Sequence, residues 1–274
     1  MVLRWGKAAV LMPDGDLAGE TAYVLSAAER SSISLQIVLC LPDVLRQSRL
    51  AQTEAAIAAV QPETRKRTGF LIRNLDELGM IRELGLQEHF QGMLIADPFL
   101  YAYNSEALRF YLDLFPDLWF IGSDELTDRE QQQTLQNSPL RQEQMIIKVY
   151  GHQPLMITDQ CLSHNYTDCR QHLMSFTDSH KERFFAAGSC RQCYSTIYNG
   201  KCTWLLDKVN EAGYQGFQIL MLDLTVEDAL QVQGVLSFIS QMTWQLHCHA
   251  DAGATGQAAA PKSFTRAHHY KGVE

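Results

Sequence analysis

The sequence of 274 residues has no apolar run long enough to span a bilayer, and its mean hydropathy is −0.17. A membrane-spanning helix is therefore not expected. The opening MVLRWGKAAVLMPDGD carries two early positive charges, but Pro13 breaks its short apolar run, so it does not read as a secretion leader. A cytoplasmic protein is the expectation. Positive charge is in deficit: 23 Lys and Arg against 31 Asp and Glu leave a net charge of −8. That balance argues against broad nonspecific binding to nucleic acid and leaves room only for a local basic patch. No Ser-His-Asp arrangement and no HExxH helix is present, so neither of those hydrolytic mechanisms can be written from motifs. The seven cysteines are odd in number and lack a leader, which favours reduced thiols or a metal site over a disulfide framework.

What is present is concentrated. Cys161, Cys169, Cys190, Cys193 and Cys202 fall within residues 150–203, together with His152, His164, His172 and His180. Thiolates that hold iron-sulfur clusters or zinc converge from loops, in pairs close in sequence plus remoter partners. Metal or cluster binding is one reading of this crowding. Small buried hydrophobic thiols are the other.

With 46% hydrophobic residues the chain can build one large α/β domain or two small ones, and the alternation of strand and helix patterns selects one. Strands are expected at 7–12, 33–41, 69–72, 92–96, 118–122, 145–149 and 216–222. Helices are expected at 17–30, from Asp43 to about Val60, across DELGMIRELG, at 105–114, across SDELTDREQQQTLQN with Ser123 or Asp124 as cap, at 204–212 and at 226–246. Such an order means βαβ units and a parallel sheet. Asn74, Asp97, Ser123, Asp124, Glu125 and Gly151 follow the strands, at the carboxyl ends where parallel barrels build sites; helix capping is the plainer role for each singly. Residues 1–250 thus read as one partial (β/α) barrel with the Cys-rich segment at 150–203, 251–261 as a flexible linker and 262–274 as a tail folding back over the barrel mouth.

Several of these pieces are familiar together. VYGHQPLMITDQCLSHN, SCRQCYSTIYNG and FTRAHHYKGVE, with IRNLDELGMIRELG, ADPFLYAYNSEAL and SDELTDREQ, make residues 33–274 resemble the collagenase-like peptidase family U-32, in particular the carboxyl-terminal part of its long bacterial members. The resemblance implies an α/β, TIM-barrel-like fold and thiolates that hold a 4Fe-4S cluster, with zinc as the alternative. About six of the usual eight strands are expected, leaving an edge for a partner chain or a second copy to cover. Cys161, Cys169 and Cys190 match the first three cluster thiolates; Cys193 stands in for the fourth, with Cys202 and Cys40 as backups. Ala267 stands where relatives tend to have glycine, which matters if that position takes positive φ.

Two functional labels come with the resemblance. One is an oxygen-independent hydroxylation or an RNA or cofactor modification, with His152, Glu125, His268 and His269 as the catalytic candidates and the histidines handling protons. Asn74, Asp97, Asn104, Ser123 and Glu125 would then position a substrate at the barrel mouth, whether small molecule, RNA or peptide, and Arg266 and Lys271 would bring positive charge to it. The other is a peptidase using a metal-bound water. A non-catalytic barrel fragment that needs a companion chain is the third reading.

Overall fold

The computed structural model describes residues 8–11, 17–30, 34–162, 173–189, 193–209, 217, 219–248, 264–267 and 269. Its strands are β1 (Ala8–Leu11), β2 (Gln36–Cys40), β3 (Thr68–Ile72), β4 (Leu94–Ala96), β5 (Trp119–Ile121), β6 (Met145–Thr158), β7 (Leu173–Thr177), β8 (Arg183–Ser189), β9 (Tyr194–Trp204), β10 (Ile219–Leu222) and β11 (Phe264–Thr265). Its α-helices are α1 (Leu17–Arg30), α2 (Leu50–Ala58), α3 (Pro62–Arg65), α4 (Leu75–Glu83), α5 (Leu86–His89), α6 (Ser105–Leu114), α7 (Asp128–Gln136) and α8 (Ala229–Cys248). Among the described residues no helix is long and apolar enough to cross a membrane.

β1 to β6 pair in chain order, all parallel, and β10 adds parallel to β6. The result is mixed α/β, a curled, open half-barrel rather than a closed one. The seven parallel strands fall at the seven expected runs, one more than the six or so the resemblance implies. Alternation along β2 shows how the sheet is packed: Ile37 and Leu39 join the helix-side core with Ile57, Phe70 and Ile81, while Val38 and Cys40 join Leu71, Ile95, Ile121 and Ile146 on the concave side. Burial on both faces is why these strands read as unbroken apolar runs.

The Cys-rich segment lies between β6 and the last parallel strand, β10, and carries strands of its own. β6 does not stop at Val149 but runs fourteen residues, leaves the parallel sheet and pairs antiparallel with β9, which pairs with β8, and β8 with β7. Gly151, expected just past the strand, and Pro154 both lie within it. Pro154 lies where the ladder register shifts, so its missing N–H costs no regular bond. Gly151 takes φ 142° with Asp223 packed against it, a backbone path closed to larger residues.

Other boundaries differ for local reasons. Asp43 does not cap a helix; it faces Arg73, and α2 begins only at Leu50 after a short 3-10 turn. Thr127, not Ser123 or Asp124, caps α7, in a reciprocal box with Glu130. The expected helix at 204–212 is instead the end of β9 followed by turns as far as Val209, with residues 210–216 outside the described set.

Candidate functional site

The carboxyl ends of the parallel strands carry an array of opposite charges. Arg73, after β3, is ion-paired with Asp43, after β2, and its Nε lies 3.8 Å from Asp97 Oδ2, after β4. Lys148 projects from β6 on the same strand face as Ile146, buried, and pairs with Asp124 after β5. Asp223, after β10, is held by the amide and hydroxyl of Thr225. Burial pushes the Asp97 carboxyl above its ordinary pKa, against the opposing pull of Arg73. Burial works against the Lys148 charge, yet Asp124 and Asp223 outweigh it and raise the lysine pKa.

β9 roofs this array. The Tyr194 hydroxyl accepts from the Asp43 amide at 2.9 Å, and Thr196 Oγ1 donates to Asp43 Oδ2 at 3.1 Å. Burial raises the pKa of both Tyr194 and Tyr198, so they stay phenols. Beneath, Glu77 Oε2 accepts from the Arg73 amide at 2.6 Å, and its buried carboxyl is pushed up to about 8.

The residues expected to position a substrate separate once their partners are known. Asn74 caps α4 through the Glu77 amide and ties back to the Pro42 and Asp43 carbonyls. Asn104 caps α6, and Asp97 Oδ1 caps the turn at Phe99 while Oδ2 faces Arg73. Ser123 is buried and accepts from the Glu125 amide, whereas Glu125 itself is exposed. Capping therefore accounts for Asn74 and Asn104, while Asp97 does both things.

His152 lies on the bent part of β6, with Nδ1 at 2.5 Å from the Asn199 carbonyl and Nε2 at 3.5 Å from Glu227 Oε1. The Glu227 side chain is 1% exposed, and burial raises its pKa. Burial, with Glu227 and Cys202 beside it, raises the pKa of the Tyr150 hydroxyl. Sequence reading passed over Glu227, because TVEDAL looks only like the start of a helix.

Of the tail, residues 264–267 and 269 are described. β11 pairs with β9, and Arg266 grips Asp207 with both arms, at 2.5 and 2.8 Å, and the Trp204 carbonyl. Its charge is thus spent on holding the tail. Ala267 does adopt positive φ, 49°. His269 is buried, with Nδ1 2.6 Å from Asp128 Oδ1 and Nε2 4.0 Å from Asp124 Oδ1. His268 and Lys271 lie outside the described residues. The partners of His152 and His269 described above are carboxylates and a carbonyl, not a hydroxyl or thiol nucleophile.

The thiols fall into two groups. Cys40 is fully buried on the concave side, its Sγ donating toward the Leu41 carbonyl, with its pKa raised by burial. Burial also pushes Cys202 up to about 11. Both are stable thiols with their own partners, which suits core packing better than ligation. Cys161 and Cys193, neither in a disulfide, sit together at one lip: the Leu162 amide donates to Ser195 Oγ, and Arg46 reaches both Asp159 and the Cys193 carbonyl. Cys169 and Cys190 lie outside the described residues. Among the described residues no group of three or more His, Cys, Asp or Glu side chains is arranged to hold a metal ion.

No protein-family model, curated protein or solved structure matches this chain.

Proposed function

We propose that the chain is an iron-sulfur protein of the U-32 kind, with Cys161, Cys169, Cys190 and Cys193 holding a 4Fe-4S cluster beside the strand-end array. The array receives an organic substrate for oxygen-independent hydroxylation, or for modification of an RNA or cofactor precursor. One observation carries this reading. Arg46, from a strand-end loop, draws together Asp159 and Cys193, the two ends of the cysteine strap, so its first and last thiols stand at the same lip. With Cys169 and Cys190 between them in the chain, Cys161 and Cys193 make up the four thiolates a cluster needs, and the cluster would supply one-electron chemistry there. The chain's own residues bind and orient: Arg73, Asp97 and Lys148 face the ligand, and β9 covers it.

Protein purified without oxygen should contain about four irons and four sulfides per chain by the stoichiometry of the cluster, with its charge-transfer absorption. Cys161→Ser should lose most of both. Iron-free protein whose thiols all titrate, or protein carrying zinc instead, sinks the cluster.

The open sheet favours a second component. β10 is wholly apolar, ILML, yet all four residues are only partly buried, and among the described residues it pairs on one side alone. A companion chain or a second copy laid along it would cover that edge. Light scattering tests this, and a monomer in solution alone at micromolar concentration counts against the second copy.

A further inference from the structure

Two nitrogen atoms of the strand-end array are buried without a hydrogen-bond partner, Arg73 Nε and His269 Nε2. Each faces a carboxylate oxygen across nearly the same gap: 3.8 Å from Arg73 Nε to Asp97 Oδ2, and 4.0 Å from His269 Nε2 to Asp124 Oδ1. These gaps are too long for a hydrogen bond and too short for two atoms in series. A single oxygen bonded to both ends at about 2.8 Å, at close to a right angle, spans about 4 Å. Exposure separates the two places. Arg73 and Asp97 each keep 12% of their side chains open, whereas His269 keeps 3%.

Charge decides what the less deeply buried gap can take, once a side chain there gives way. Arg73 and Lys148 already face Asp43, Asp97, Asp124 and Asp223, and Arg266 is engaged by Asp207. A carboxylate or phosphate would add negative charge to a buried set already in carboxylate excess. An ammonium group can donate to Asp97 but cannot accept from Arg73 Nε–H. A hydroxyl does both, accepting from Arg73 and donating to Asp97.

We infer that the gap between Arg73 Nε and Asp97 Oδ2 is a subsite for a neutral ligand hydroxyl, an alcohol or sugar hydroxyl, and that it rejects anions. The inference rests on the strand-end array being the ligand site proposed above, but it does not need the cluster. Asp97 does not lose its structural task in accepting a ligand, because its other oxygen caps Phe99.

The test is saturation-transfer NMR on the full chain, prepared with and without iron, using cyclohexanol, cyclohexanecarboxylate and cyclohexylammonium as matched probes. Cyclohexanol should bind at least about tenfold more tightly than either ion, in both preparations. Asp97→Asn keeps the cap and turns the gap into two donors, so preference should swing toward the carboxylate by about tenfold. Arg73→Lys keeps a cation beside Asp43 but removes Nε–H, and should weaken cyclohexanol alone by a similar factor. Equal binding of all three probes, preference for an ion by the unaltered chain, or no transfer from any probe overturns the inference. If protein purified without oxygen holds no iron yet keeps the probe selectivity, the inference stands while the cluster reading falls; iron without probe selectivity does the reverse.

Discussion

Replacing Glu77 by glutamine probes the foundation of the site without touching its mouth. Glu77 is 0% exposed, and burial raises its carboxyl pKa from 4.5 to about 8, partly offset by the Arg73 amide and guanidinium. The folded chain therefore keeps a proton that the unfolded chain releases above pH 4.5. Stability from this group is complete below that pH and is lost as pH rises through about 8. Each pKa unit corresponds to about 1.4 kcal/mol, so the loss between pH 5 and 8 approaches roughly 4 kcal/mol as an upper bound. Glutamine keeps an acceptor for the Arg73 amide and does not titrate. Urea denaturation at pH 5.0, 6.5 and 8.0 should give similar stabilities at the lowest pH. At pH 8 the Glu77→Gln protein should be the more stable by about 2 kcal/mol or more. Parallel pH profiles for the two proteins would refute the assignment.

Two further substitutions test the backbone that aims the site. Ala267→Gly should stabilise tail docking by about 0.5–1 kcal/mol, because φ of 49° suits glycine; slower amide exchange at residues 264–269 is the readout, and faster exchange contradicts it. Gly151→Ala should cost about 3 kcal/mol or more, since φ is 142° and an added Cβ would lie 2.5 Å from Asp223 Cβ; a loss under about 1 kcal/mol in chemical denaturation would show that the bend of β6 is not constrained there.

Much of the parallel half was legible because its signals are local. The runs around Ile37 and Phe70 are apolar on both faces, and helices such as α4 and α6 carry their own spacing and caps. The meander was not legible. Gly151 and Pro154 are turn residues by composition, and only pairing with β9 turns them into a bend and a register shift within one strand. The site divides likewise. Asp97 and His152 stood out by residue type and position, whereas Lys148 and Glu227 did not. A lysine within an apolar strand and a glutamate opening a helix gain chemical meaning only from remote partners, Asp124 for one and His152 for the other.

By itself the sequence determined the βα order, the polar residues at the strand ends and the crowding of cysteines, because each depends on neighbours within a few positions. The tertiary structure decided that the sheet stays open, that β9 covers the array, that Arg266 holds the tail and that Cys161 and Cys193 share a lip. Those outcomes depend on contacts between residues far apart in the chain, such as Asp43 with Thr196 and Arg46 with Asp159, which no local pattern encodes.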